Sequence, residues 1–264
     1  MAKAAKSKAK AKRKAVRRVA KPARKQAAKR SAPRAKARRA APRAAASKPA
    51  LGKGQGRIVF YGNSNSMPSG KVGLMLALTG APFSYRHVDL AQGAQKQPDY
   101  LALNRFGQVP VLEDEGKYIA DSNAILVYAA KKFGKSDWLP EDPAGAAAVQ
   151  RWLSVAAGQV AFGPAAARLV TVFGAKFNPE EVVTRAHNLL KVIETELTGR
   201  DWIASNHPTI ADVALYSYIA HAPEGNVDLT PYPQVRAWLG RIEGLKGFVP
   251  MPQTAAGLRA VAAK

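Results

Sequence analysis

A chain whose first 56 residues hold 21 of its 41 lysines and arginines, and none of its 18 aspartates and glutamates, cannot be built as a single object. Residues 57–264 keep 20 basic against 18 acidic residues, so they sum to about +2 of the overall +23. The leading arm is almost wholly alanine, lysine and arginine and offers too little apolar surface to offset the entropy of ordering it. Pro22, Pro33, Pro42 and Pro49 interrupt any long helix. Alanine, lysine and arginine favour helix, yet like charges three and four residues apart repel, so helix is expected only where a polyanion neutralises them. Residues 1–56 are therefore expected to be a disordered basic tail.

In composition this tail resembles those of linker histones and of the histone-like proteins of bacteria. Lysine and arginine displace counterions condensed on nucleic acid, which gives affinity that is sequence-independent and salt-sensitive. Nucleic acid or another polyanion is the favoured partner, set against a solvated tail that only promotes solubility. A transit peptide shares the absence of acids, but the dense lysine and the few serines (Ser7, Ser31, Ser47) fit it less well.

The body is long enough for two modest domains with proper cores. Its best membrane candidate, Val72–Phe83, is broken by Gly80 and Pro82 and falls short of the roughly 20 residues a span requires, so no membrane is expected. The chain has no cysteine, which removes disulfides, cysteine zinc sites and a cysteine nucleophile, and agrees with a reducing cytoplasmic compartment. Nucleoid association would follow if the tail engages DNA. His87, His187, His207 and His221 lack close ligand spacing, so no metal is expected.

Arg57–Tyr61 reads as a short buried strand, followed by a turn-rich Gly62–Gly70. Lys71–Thr79 then reads as a helix stopped by Gly80 and Pro82, Phe83–Leu90 as a strand, and Pro98–Asn104 as a short helix. Val111–Glu113 and Tyr118–Ala120 form a hairpin around Gly116, and Ser122 caps a helix through Phe133 closed by Gly134. The order βαβαββα is that of a thioredoxin-like unit, residues 57–134. Residues 135–142 (KSDWLPED) read as a linker. Residues 143–250 are expected to be all helical, divided among other places at Gly163-Pro164, and 251–264 to form a C-terminal tail. Asn178, Pro179, Glu180 and Glu181 make a well-formed helix start.

Two segments carry a family likeness: GQVPVLEDEGKYIADSNAILVYAA (Gly107–Ala130) and TIADVALYSYI (Thr209–Ile219). Through them the body resembles the soluble, bacterial-type glutathione S-transferase family over essentially all of residues 57–250. The resemblance implies an α/β thioredoxin-like domain followed by an all-α helical bundle, a homodimer, and glutathione as cosubstrate with no other cofactor. It also implies a detoxifying attack of the glutathione thiolate on a small hydrophobic electrophile. Val109-Pro110 would present free backbone groups to the cysteinyl part of glutathione like an edge strand. Spacing alone leaves that bond trans, whereas the resemblance implies cis. Ser122 would meet the γ-glutamyl carboxylate at a helix N-terminus, and Asp121, where many members have glutamate, its ammonium. Gln108 would reach the glycyl carboxylate, and Thr209 with Asp212 would form the family's capping motif.

Ser66 is the residue expected to touch the thiol, standing where many bacterial relatives have a serine at the start of the first helix; Asn65 and Ser69 are alternatives. Tyr61 is read as packing. A cysteine thiol titrates near 8.5 and must drop by roughly two units to be largely thiolate at pH 7, about 2.7 kcal/mol. One hydrogen bond to the charged sulfur supplies about 1.5–3 kcal/mol and a helix N-terminus about 0.3–1, so no proton-accepting side chain is required. Arg168 is expected at the surface, and the electrophile pocket between the domains, lined by Phe162, Leu169, Tyr216 or neighbours. The rival readings are a non-catalytic transferase-fold module for binding or dimerisation, and a nucleoid protein carrying a transferase body.

Overall fold

The computed structural model describes residues 58–134 and 136–262. The expectations for residues 1–57, for Lys135 and for residues 263–264 lie outside the described residues.

Four strands form one mixed sheet in the order β2-β1-β3-β4: β1 (Ile58–Gly62), β2 (Phe83–His87), β3 (Val111–Asp114) and β4 (Lys117–Ala120). β1 runs parallel to β2, with Phe60 opposite Tyr85, and antiparallel to β3, with Phe60 opposite Leu112. β3 and β4 form the hairpin, its turn at Glu115-Gly116, both with positive φ. A parallel pair needs a crossover, and α1 (Met67–Leu78) supplies it between β1 and β2. Side chains alternate across the sheet. Ile58, Phe60 and Leu112 enter the main core with α1 and α3 (Ser122–Phe133), while Val111 joins a smaller cluster with Val88 and Tyr100 of α2 (Pro98–Leu103). This is a thioredoxin-like arrangement.

The remainder is helical: α4 (Pro143–Val155), a π-helical stretch (Ala156–Ala165), α5 (Ala166–Phe173), α6 (Pro179–Glu196), α7 (Ile210–Ala220), α8 (Pro233–Glu243) and the short α9 (Leu258–Ala262). Every residue of α7 is buried, as an element apolar all round must be, and it packs against α1, α3, α4 and α8. The main core is continuous from the sheet's Ile58 to Trp238 of α8.

Several local expectations change. α1 starts at Met67, four residues before Lys71, because Ser66 serves as its N-cap and Pro68 fits its first turn. β2 ends at His87, and Val88 is tied back to Gly62 by a backbone bond of 2.8 Å. Asp121, not Ser122, caps α3; its Oδ1 accepts from the amides of Asn123 and Ala124, each at 2.9 Å, and Ser122 is the first helical residue. Gly163-Pro164 does not divide two helices. The chain runs on as one 31-residue helix from Pro143 to Phe173, and the wider π turns accommodate the proline's missing donor. Gly163 allows close passage of α6, since a Cβ there would lie 3.2 Å from the Ala186 backbone. Among the described residues this helix, rather than Val72–Phe83, is the one able to cross a bilayer by length and composition, but Trp152, Leu153 and Val160 bury its inner face in the core.

Candidate functional site

A cleft of about 670 Å³ opens between the sheet domain and the helices. Its first wall is the loop from Phe106 to Pro110, whose carbonyls are tied down from behind. Lys96 Nζ donates to Gly107 O at 2.9 Å, and both Tyr100 Oη and Asn104 Nδ2 donate to Gln108 O at 2.9 Å. Burial pushes the Tyr100 phenol up to about 12, which keeps it a donor at neutral pH. Gly107 has φ +57°, and a Cβ there would sit 2.8 Å from Gln95 O, so two constraints select glycine. The Val109-Pro110 bond is cis, as the resemblance implied.

The second wall is the start of α3. Asp121 adopts φ 74°, a region costly for a residue with a side chain, and that turn brings Asp121, Ser122 and Asn123 together on the cleft. Asp121 Oδ1 is committed to the amides of the first turn, while Oδ2 carries no hydrogen bond among the described residues. The floor and far wall come from Pro68 and Lys71 of α1, Tyr218 of α7, and Ala156, Ala157 and Ala161 of the π-helical stretch. Alanines there leave room for an apolar ligand beside the polar walls.

Gln108, Val109, Pro110, Asp121 and Ser122 thus line one cleft. Ser66 and Asn65 lie outside its lining, on the loop just before Pro68. Ser66 Oγ accepts from Ser69 N at 3.4 Å, a long bond that leaves its hydroxyl proton free to donate. Asn65 is exposed, and its carbonyl accepts from Arg168 Nη1 at 3.1 Å. Tyr61 Oη donates to Glu113 Oε2 at 3.0 Å and is half-buried.

Two expectations fail here. Arg168 is not a surface cation. It is fully buried, its Nε 2.7 Å from Glu224 Oε2 and its Nη1 on the Asn65 carbonyl, while its Nη2 has no hydrogen-bond partner among the described residues; the Glu224 carboxylate pairs its charge inside the helices. Phe162, Leu169 and Tyr216 do not line the cleft. Phe162 faces a separate groove with Trp152 and Leu189, Leu169 is exposed, and Tyr216 donates to Glu243 Oε1 at 2.9 Å while packing edge-on to Phe248. Two residues along α7 is a rotation of about 200°, so Tyr218 faces the cleft and Tyr216 the opposite side.

Thr209 and Asp212 form a capping box at α7: Thr209 N donates to Asp212 Oδ2 at 2.9 Å, and Ala211 N to Thr209 Oγ1 at 3.2 Å. Asp212 Oδ1 also accepts from Ile203 N at 3.0 Å and Trp238 Nε1 at 2.9 Å, so it joins α7 to α8. Burial pushes its carboxyl up, opposed by these donors.

The residue sequence reasoning missed is Lys71. It is 1 % exposed and shares the buried face of α1 with Met67, Leu74 and Met75, so a lysine one turn before a buried methionine was the available signal. Its ammonium donates to Asn123 Oδ1 at 2.5 Å and lies 5.3 Å from the centre of the Tyr218 ring. Desolvation lowers its pKa to about 7, against the opposite pull of Asp121. Among the described residues no cluster of histidine, aspartate and glutamate has the form of a metal site.

Comparison with known proteins matches this architecture on both sides of the cleft. The family description "Glutathione S-transferase, N-terminal domain" matches residues 57–131, and "Glutathione S-transferase, C-terminal domain" residues 156–246. Glutathione S-transferase D7 of Anopheles gambiae is 31 % identical over 183 residues, 69 % of this chain and 84 % of the relative. Glutathione S-transferase 3 of Zea mays is 33 % identical over 212 residues, 73 % of this chain and 94 % of the relative. Among solved structures, a possible glutathione S-transferase from Rhodopseudomonas palustris aligns with a TM-score of 0.69 at 33 % identity, covering 75 % of this chain and 98 % of that one. A glutathione transferase homologue from Drosophila mojavensis, solved with bound glutathione, aligns with a TM-score of 0.67 at 31 % identity over 72 % of this chain and 89 % of its own.

Proposed function

The chain belongs to the glutathione S-transferase family, and on that premise we propose that it binds glutathione in the interdomain cleft and delivers its thiolate to a small hydrophobic electrophile. The observation that carries this reading is the meeting, in one cleft, of the Gln108–Pro110 backbone with Asp121 and Ser122 at the start of α3. Val109 presents its backbone to the cysteinyl part, Ser122 its hydroxyl to the γ-glutamyl carboxylate, Asp121 Oδ2 an acceptor to the ammonium, and Gln108 its amide to the glycyl carboxylate. Ser66 donates its free hydroxyl proton to the thiolate at the positive end of α1, with Asn65 the next group along the loop. The sulfur then forms a bond to an electrophilic carbon as the leaving group departs, and the thiol proton has already passed to water. The alanines of the π-helical stretch and Tyr218 line the electrophile's side. The molecule works as a cytoplasmic homodimer; Phe106, 81 % exposed at the rim of the cleft, is an apolar group suited to cover by a second subunit.

The test is turnover of glutathione with a chloronitroarene, followed by chloride release, together with a spectroscopic titration of bound glutathione. Ser66→Ala is expected to raise the bound thiol's pKa by roughly one to two units, the worth of one charge-assisted hydrogen bond. A titration that stays put in Ser66→Ala but moves in Asn65→Ala would transfer the role to Asn65. Absence of both turnover and retention on immobilised glutathione would leave only the scaffold reading.

The basic tail binds nucleic acid without sequence preference. If about ten phosphates are engaged, raising salt from 50 to 200 mM weakens binding roughly 10⁵-fold, whereas protein starting at Arg57 binds negligibly. Fluorescence anisotropy on two unrelated duplexes checks this, and equal binding by both forms would refute it.

A further inference from the structure

Lys71 is a buried cation that forms no ion pair among the described residues. An ammonium has three donors, and among the described residues only Asn123 Oδ1 takes one. No carboxylate of the described residues forms an ion pair with it; Asp121 acts on it through space only. The orientation of Asn123 is not arbitrary, because its Nδ2 donates to Leu153 O of α4 at 3.0 Å and so leaves Oδ1 toward the lysine. An uncompensated charge removed from water is expensive. Lys71 nevertheless sits on the cleft, beside the residue that follows Ser122.

The ionisable groups around it are few. α3 contributes Asp121, and α7 contributes Tyr218, whose phenol burial pushes up and keeps neutral. The π-helical stretch offers only alanines to this part of the cleft, and Lys96 stands on the opposite wall. The local field therefore favours an anion.

We propose that Lys71 is a carboxylate-binding residue of the cleft, its two unspent N–H groups meeting, together with the Ser122 hydroxyl, the γ-glutamyl carboxylate of glutathione. The proposal rests on the reading that this cleft holds glutathione. Its consequence is proton-coupled binding. With Lys71 near 7 in the unliganded protein, a bound carboxylate returns it toward the ordinary lysine range, so the ligand draws in a proton and affinity falls as pH rises through 7.

The test uses the full chain and S-methylglutathione, which keeps the γ-glutamyl group but has no thiol to release a proton. Calorimetric titrations at pH 7.5 in buffers of different ionisation enthalpy are expected to show uptake of about three-quarters of a proton per ligand bound, and Kd is expected to rise about tenfold from pH 6 to pH 8. Lys71→Met is expected to bind about tenfold or more weakly at pH 6, with neither proton uptake nor pH dependence. No uptake by the wild-type protein, uptake that persists in Lys71→Met, or a Lys71→Met affinity within twofold of wild type at pH 6 would each overturn the assignment while leaving glutathione in the cleft. Failure of the wild-type protein to bind S-methylglutathione at any pH would overturn the cosubstrate reading and the proposal with it.

Discussion

Lys71 and Arg168 are both buried cations, and they are treated in opposite ways. Arg168 on α5 meets Glu224 through Nε at 2.7 Å and the Asn65 carbonyl through Nη1 at 3.1 Å. Glu224 in turn accepts from Thr254 N and Oγ1, and faces His221 at 3.8 Å and Arg259 at 3.9 Å, so the segment after α8 is clamped to the helices. Among the described residues Lys71 on α1 has one neutral acceptor and no ion-paired carboxylate. A charge answered by the fold holds structure together. A charge the fold leaves unanswered, on the wall of a cleft, is available to a ligand.

Removing Glu224 breaks the answered side of the comparison. Glu224→Ala leaves Arg168 buried without its partner and is expected to cost about 3–5 kcal/mol in urea unfolding, while replacing both residues by methionine restores most of it. Burial alone would raise the Glu224 carboxyl, but hydrogen bonds from Thr254 and Arg168 outweigh it and hold it below its usual value. Its contribution is therefore present above the unfolded value near 4.5 and lost as pH falls through the lower folded value, so the gap between wild type and Glu224→Ala should narrow in acid. A gap unchanged down to pH 3 would show that the pair's charge is irrelevant to its role.

Asp212 extends the same logic to an anion. Capping alone is worth about 0.5–2 kcal/mol. Because Asp212→Ala also orphans Ile203 N and Trp238 Nε1, both buried, the expected loss is about 2–4 kcal/mol, with glutathione affinity per folded molecule unchanged. A loss near 1 kcal/mol in denaturant titrations would reduce the residue to its cap.

The smallest effect lies on the unanswered side. Lys71 has a folded pKa of about 7 against an unfolded 10.5, so between those values the unfolded state holds the extra proton and stability rises with pH. Lys71→Met lacks this dependence. Relative to that variant, the unliganded wild type should gain on the order of 2 kcal/mol between pH 7 and pH 9. Parallel curves for the two proteins would mean that Lys71 is charged and compensated, which would erase the contrast with Arg168.

Much of the cleft was legible as sequence because its walls depend on local backbone rules. Gly107, Pro110 and the Asp121-Ser122 junction are punctuation between short elements, and their roles follow from neighbours a few residues away. Even there one detail escaped. The choice of Asp121 over Ser122 as the cap turns on a φ of 74°, which residue type does not announce. Pro164 escaped for a related reason: proline normally ends a helix, but here α6 and α7 hold the long helix in place and wider turns absorb the defect.

By itself, then, the amino-acid order determined the break between basic arm and near-neutral body, the sequence of strands and helices in the sheet domain, and the loop and helix start that build two walls of the cleft. These are consequences of composition, periodicity and short-range sterics. Only the tertiary structure decided which of Tyr216 and Tyr218 faces the cleft, that Arg168 is buried against Glu224, and that Lys71 forms no ion pair among the described residues. Each of those outcomes depends on partners 50 or more residues away, or on the opposite faces of a helix buried all round, where side-chain type no longer tells inside from outside.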